Sequence, residues 1–183
     1  MRTSIFLSYP KPSYQIQVAF LERVRAYLDE RGFYPLTLGV TDYDSTAPLA
    51  GIRRLMIESN GLIAIAFRRT YVAQGAKRHG TDLPGLGVES VDDSWLTTPW
   101  SHIEAAMAFQ LGLPIVVFKE EGVIADGLLE RGVAGLYVPE FDLTKPLDDY
   151  FAGLEWNSIM TKWEGRVRAV VNTKGRPPTL YQE

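Results

Sequence analysis

The sequence predicts a single α/β domain built on a five-stranded parallel sheet with helices on both faces. Short apolar runs alternate with segments of helical periodicity along the 183-residue chain. Two of these runs, residues 61–67 (GLIAIAF) and 113–118 (LPIVVF), are apolar throughout, which is typical of central parallel strands. Strands that alternate with helices imply right-handed crossovers, and these place helices on both faces of the sheet.

Turn and cap residues set the bounds of the elements. Strands are predicted at 4–9, 33–38, 61–67, 113–118 and 135–141, and helices at about 15–31, 49–59, 99–112, 124–131 and 146–171. The first helix ends at Gly32, which suits a C-cap. Pro35 lacks a backbone donor, so the second strand is expected at a sheet edge. The last helix is expected to bend or break near Gly153 or Gly165.

Five strands suit the flavodoxin-like order 2-1-3-4-5, in which ligands bind where strand order reverses, beyond the carboxyl ends of the first and third strands. Ser8 and Tyr9 end the first predicted strand, and Arg68 follows the third. The helix that carries Glu104 starts from the same rim. Topology therefore predicts that Ser8, Arg68 and Glu104 approach one crevice.

Residues 1–171 are predicted to form this one domain, and 172–183 a flexible tail. Residues 68–98 form a long inserted loop with four glycines, expected to be a mobile flap.

Composition excludes several classes of protein. The net charge of −3 lacks the basic footprint of a nucleic-acid binder, and no apolar run approaches the ~20 residues of a membrane span. There are no cysteines and only two histidines, so neither thiolate nor histidine-rich metal sites are expected. Residues 1–3 lead into a strand-like segment rather than a long apolar stretch, so no signal peptide is expected. We expect a cytoplasmic protein with no metal, no nucleic-acid partner and no membrane contact.

Trp100 and Glu104 are the most informative pair. Their spacing of four places the indole and the carboxylate on one helix face. Thr97 or Thr98 suits the N-cap and Pro99 the first helical position. Glu104 then lies just beyond the first turn, where the helix dipole favours the ionised carboxylate. That form can stabilise an oxocarbenium-like sugar or attack it. The alternative is a solvated surface acid beside a core tryptophan.

Six further side chains are candidates to contact a substrate in the crevice: Ser8, Tyr9, Asp42, Asp44, Arg68 and Tyr71. Ser8 could bond a ribose or phosphate, and Arg68 could bind a diphosphate through bidentate hydrogen bonds. Each also has an ordinary structural explanation, such as turn chemistry for the two aspartates. His102 points to a different helix face from Glu104. Met107, Phe109 and Leu111 are expected in the core.

Several motifs resemble the Toll/interleukin-1 receptor (TIR) domain family, especially its bacterial NAD-cleaving members. IFLSY and the helix ending at Gly32 are similar to the first strand and helix of the family. The segment GVTDYDSTAPLAGIRRLMIESNGLIAIAF (39–67) resembles its mobile loop, second helix and third strand. WSHIE, with Trp100 and Glu104, is similar to its W-x-x-x-E motif, and GLPIVVF to its fourth strand. The resemblance covers about residues 3–140, and the 68–98 segment is longer than in the family.

This resemblance implies an NAD glycohydrolase or ADP-ribosyl cyclase that cleaves the nicotinamide–ribose bond. Glu104 would be the catalytic residue, and NAD would be a substrate rather than a cofactor. It further implies self-association through the domain, a downstream effector protein, and a role in anti-phage defence or signal-nucleotide production.

Two alternatives stay open. SHIEAAMAFQLGLPIVV also resembles the nucleoside 2-deoxyribosyltransferase family around its nucleophilic glutamate, again Glu104. Those enzymes need an acid to protonate a poor leaving base, whereas NAD loses a neutral nicotinamide. The other alternative is a non-catalytic TIR interaction module.

Overall fold

Nine strands are present in the computed structural model, which describes residues 2–39, 47–133, 137–171 and 173. They are β1 (Thr3–Ser8), β2 (Phe33–Leu36), β3 (Leu62–Ala66), β4 (Thr70–Val72), β5 (Ala76–Lys77), β6 (Glu89–Ser90), β7 (Ser94–Leu96), β8 (Ile115–Glu120) and β9 (Glu140–Phe141). Five of them form a parallel sheet in the order β2-β1-β3-β8-β9. This is the predicted 2-1-3-4-5 order, with β2 at an edge as Pro35 indicated.

Five α-helices connect or cover these strands: α1 (Gln15–Glu30), α2 (Pro48–Glu58), α3 (Pro99–Gln110), α4 (Leu147–Ala152) and α5 (Leu154–Val171). The predicted break at Gly153 is confirmed, because this residue separates α4 from α5. Gly165 lies inside α5, which is continuous there. None of the described helices is long and apolar enough to cross a membrane.

The helix predicted at 124–131 is wrong. Only a 3-10 turn, Gly127–Leu129, forms there. Gly127 has a φ of +54° in the left-handed region, and Asp126 caps the turn by accepting a hydrogen bond from the Gly127 N–H. A left-handed glycine inside the segment interrupts the right-handed backbone that a longer helix requires.

The side chains of β1 alternate between the two faces of the sheet, and each face has its own hydrophobic core. Ile5 and Leu7 belong to the cluster that packs against α1 and α5. Phe6 points to the opposite face and belongs to the cluster formed with α2 and α3. Since strand side chains alternate with a period of two, Ser8 lies on the same face as Phe6. The last residue of β1 therefore faces α2 and α3.

The long segment 68–98 is ordered as a nested β-ribbon rather than an irregular loop. β4 pairs antiparallel with β7, and β5 pairs with β6 further out. The rings of Tyr71 and Trp95 lie 5.0 Å apart across the inner pair. The Trp95 N–H donates to the Gly122 carbonyl (3.0 Å), and the Ile124 N–H donates to the Trp95 carbonyl (2.8 Å). These bonds fix the base of the ribbon to the loop that follows β8.

Candidate active site

The point where strand order reverses lies at the carboxyl end of β1. β2 pairs with one side of β1 and β3 with the other, and Ser8 is in register with Ala64 of β3. In open parallel sheets a crevice opens at this point, because the connections leave towards opposite faces. Ser8 is only 2% exposed, and its hydroxyl oxygen is buried. A polar group is thus placed at the floor of the crevice.

Helix α3 approaches this end of the sheet closely because small residues meet there. Ala105 and Ala108 are fully buried, in the same cluster as Ala64 and Ala66 of β3. Thr98 is the N-cap, and its hydroxyl accepts a hydrogen bond from the Trp100 N–H at 3.4 Å. Pro99 occupies the first helical position, where a missing N–H costs nothing. The predicted cap and start of α3 are therefore confirmed.

The Glu104 carboxyl group lies beside the Ser8 hydroxyl. Burial raises the pKa of Glu104 to about 7, and the nearby Ser8 hydroxyl offsets part of that rise. Among the described residues the Ser8 hydroxyl has no hydrogen-bond partner of ordinary geometry, so it acts on the carboxyl as a nearby dipole. The expectation from the sequence that the helix dipole keeps Glu104 fully ionised is therefore wrong. Burial dominates, and close to neutral pH the group is divided between its two forms.

Trp100 is 42% exposed and is not a core residue. It lies one helical turn before Glu104, so both occupy one flank of α3. His102 lies on the opposite flank, where its Nδ1 accepts a hydrogen bond from the Leu128 N–H at 3.3 Å. The Trp100 and Glu104 flank is accordingly the one directed towards Ser8. Phe109 and Leu111, expected in the core, are 57% and 40% exposed.

Of the other candidates, Tyr9 and Tyr71 have partners away from Glu104. Tyr9 packs against the cluster on the α1 and α5 face, opposite Ser8, and its hydroxyl accepts a hydrogen bond from Arg25 at 2.7 Å. The Tyr71 hydroxyl donates to Asp93 at 2.6 Å in the ribbon. Asp42 and Asp44 lie outside the described residues.

Arg68 follows β3 at the rim, as predicted, but its guanidinium already has partners. Its Nε donates to the Glu121 carbonyl and lies 3.7 Å from a Glu120 carboxylate oxygen. A diphosphate would have to compete with these contacts or use the remaining donors of the group. Arg68 therefore helps to close the rim between β3 and β8.

The sequence analysis did not identify Glu120, a buried acid that bonds to two other elements at this rim. Glu120, the last residue of β8, is 4% exposed and accepts hydrogen bonds from the Arg68 N–H (2.8 Å) and Gln17 Nε2 (3.0 Å). Burial raises the pKa of Glu120, while these donors lower it. The available signal was the pair of acids Glu120 and Glu121, one residue after the apolar run IVVF, at a strand end that topology places on the rim. Among the described residues no group of three or more His, Asp or Glu side chains could hold a metal ion.

Comparison with known proteins identifies the fold. No protein-family model matches the chain, and no curated protein matches it. Among solved structures, the CMP N-glycosidase BcmB of Clostridium botulinum is similar, with a TM-score of 0.50 and 16% identity over 84% of this chain and 98% of that one. The TIR domains of the activated Roq1 resistosome, which directly recognises the pathogen effector XopQ, match with a TM-score of 0.42 and 12% identity over 93% of this chain and 84% of that one.

The match to the N-glycosidase covers nearly all of that chain. It shows a shared α/β arrangement. At these identities the likeness describes the fold, and function has to be argued from the site.

Proposed function

We propose that this protein cleaves the N-glycosidic bond of a nucleotide, with Glu104 as the carboxyl group that faces the sugar. The observation that carries the proposal is the placement of Glu104. It lies beside the buried Ser8 hydroxyl at the reversal of strand order, with a pKa raised to about 7. Carboxyl groups with strongly shifted pKa values in clefts are frequent catalytic groups. Trp100, exposed on the same flank, supplies an aromatic wall for a base or ribose.

NAD is the first candidate substrate. Its nicotinamide leaves as a neutral molecule from a pyridinium, so the C1′–N bond breaks without a proton donor, and the bonding electron pair goes to the nicotinamide nitrogen. The ionised form of Glu104 then stabilises the positive charge on the ribose. Water adds to C1′ and loses its proton to solvent, which yields ADP-ribose. A hydroxyl or ring nitrogen in place of water gives a transferred or cyclised product.

A nucleoside monophosphate such as CMP is the second candidate. It is favoured by the similarity in fold to a CMP N-glycosidase over 98% of that chain. A cytosine leaving group is poor unless it is protonated, so this reaction needs an acid. With a pKa of about 7, Glu104 retains its proton on a substantial fraction of molecules at neutral pH and can supply one. The two candidates therefore differ in which form of Glu104 is active.

Self-association is a further part of the proposal. The exposed residues of α3 carry no charge: Pro99, Trp100, Ile103, Ala106, Phe109 and Gln110. The exposed residues of α1 and α5, in contrast, include several charged side chains. An outer helix face that is apolar and uncharged is typical of a surface covered in an assembly. Such a contact beside Trp100 would also exclude water from the mouth of the crevice.

Identification of the released base tests the proposal. Purified protein is mixed separately with NAD, CMP and a deoxynucleoside, at protein concentrations low and high enough to compare monomer with assembly. Free nicotinamide, cytosine or another base is then measured by chromatography. We expect nicotinamide from NAD, and cytosine would favour the second candidate. If no base is released from any substrate, even at the highest protein concentration, the protein is instead a non-catalytic interaction module.

A further inference from the structure

A second cleft lies on the other flank of α3 from Glu104. It has a volume of about 480 Å³ and is bounded by the start of α3, the end of β7 and the loop after β8. Its lining residues are Leu96, Thr97, Pro99, His102, Ile103, Ile124, Asp126, Gly127 and Leu129. Small-molecule sites typically have volumes of about 300–1,000 Å³ and mainly apolar walls with a few polar groups. This cleft has both properties.

Two polar side chains of this lining, His102 and Asp126, can meet a ligand. His102 accepts a hydrogen bond at Nδ1 from the Leu128 N–H, so a neutral ring carries its proton on Nε2, which remains a donor. The Thr97 hydroxyl is buried and has no partner among the described residues. Asp126 Oδ1 already accepts from the Gly127 N–H, but Oδ2 can accept from a ligand, because its contact with Lys77 is long, at 3.9 Å. The Thr97 oxygen has almost no accessible surface, so it is not counted among the groups that meet a ligand.

We propose that this cleft binds an amino-substituted nucleobase such as adenine or cytosine. Asp126 would accept from the exocyclic amino group, and His102 Nε2–H would donate to the adjacent ring nitrogen. Leu96, Ile103 and other apolar side chains of the cleft cover the two faces of the flat ring. The pairing of one acceptor with one donor matches the amino group and ring nitrogen that these two bases present side by side.

This site is separate from the Glu104 crevice. His102 and Glu104 lie on opposite flanks of α3, and only the His102 flank contacts the 3-10 turn. Binding in the cleft therefore does not depend on the proposed reaction. A base that occupies it would contact the same helix that positions Glu104, which gives the cell a means to couple base concentration to the crevice.

Methyl-labelled isoleucines give a direct readout of binding. The full chain with ¹³C-labelled Ile δ1 methyls is titrated with adenosine, cytidine, free adenine and N6,N6-dimethyladenosine. Ile103 and Ile124 line the cleft, whereas Ile5 and Ile63 are fully buried in the other core and serve as references. Glu104→Gln protein is titrated in parallel, so that turnover cannot be mistaken for binding.

We expect saturable shifts of Ile103 and Ile124 with adenosine, cytidine and adenine, and at least tenfold weaker binding of the dimethylated nucleoside, which lacks the amino N–H. Asp126→Asn should weaken adenosine binding at least fivefold, while Asp82→Asn on the exposed ribbon should not change it. Unchanged reference methyls will show that each variant is folded. Absence of shifts at millimolar adenosine, or equal affinity for the dimethylated nucleoside, would overturn the proposal.

Discussion

The Ser8 hydroxyl, at the last residue of β1, lies against the Glu104 carboxyl on α3, although the two residues are far apart in the sequence. Both are held by packed elements rather than by loops. Ser8 is fixed by the register of β1 with β3, and Glu104 by the alanines that bring α3 onto the sheet. The packed elements hold the carboxyl group in one position, and burial there keeps its pKa high. Four expectations follow from this contact and from the packing beneath it.

Glu104 should make the stability of the protein depend on pH. Its pKa is raised from 4.5 to about 7, so the folded protein holds this proton more tightly than the unfolded chain does. The free energy of unfolding therefore falls as pH rises from about 4.5 to about 7. Glu104→Gln removes this effect and should stabilise the protein at pH 8 by up to about 3 kcal/mol, with little change at pH 4.5. Urea denaturation at both pH values measures this, and a less stable variant at pH 8 would contradict it.

The pH dependence of base release should report which form of Glu104 is active. If NAD is the substrate and the ionised carboxylate stabilises the ribose cation, kcat/KM rises with pH with a midpoint near the Glu104 pKa of about 7. The measurement is the initial rate of nicotinamide release between pH 5 and 9. A rate that instead falls through this range would mean that the protonated acid is the active form, as expected for a poor leaving base.

Ser8→Ala should move that midpoint to higher pH. The Ser8 hydroxyl lowers the pKa of Glu104, so without it burial acts unopposed and the carboxyl holds its proton to a higher pH. We also expect base release at pH 7 to fall about tenfold, the usual effect of losing a hydrogen-bonding group beside a charge. Ser4→Ala, at the other end of the same strand, is the matched control. An unchanged midpoint in Ser8→Ala would contradict the assignment of Ser8 to the site.

The close approach of α3 can be tested with two neighbouring alanines. Ala105 is fully buried against the sheet, whereas Ala106 is exposed on the same helix. Ala105→Leu should destabilise the protein by about 1–3 kcal/mol through overpacking. Ala106→Leu should change stability by less than about 0.5 kcal/mol. Thermal unfolding of the pair measures the difference, and equal effects would mean that α3 does not pack as described.

Patterns along the sequence predicted most of the fold because each pattern has a local cause. Alternating and continuous apolar runs predicted the central strands, and the glycine or proline residues between these runs predicted where the strands end. The prediction failed where local signals were ambiguous. Residues 124–131 have helix-forming composition, but Gly127 adopts a left-handed conformation and leaves only one turn. The ribbon at 68–98 depends on pairing between distant short segments such as β4 and β7, which periodicity over two or three residues cannot reveal.

The candidate site was predicted less completely than the fold. Spacing placed Trp100 and Glu104 on one flank, and topology placed Ser8 at the rim. The pKa of Glu104 could not be predicted, because burial arises from the packing of α3 on β3 and not from the helix itself. The same limit explains Phe109 and Leu111: α3 is apolar on every side, so its pattern does not say which side is covered.

Base release by Glu104→Gln protein tests the central claim most directly. The variant keeps the shape of the side chain and removes its charge and its acidity. Glu22→Gln, on the exposed side of α1, is the matched control. Nicotinamide or cytosine release is measured with equal amounts of the wild type and both variants under conditions in which the wild type is active. We expect at least a hundredfold loss in Glu104→Gln and wild-type rates in Glu22→Gln; wild-type rates in Glu104→Gln would contradict the assignment of Glu104 as the group that acts on the sugar.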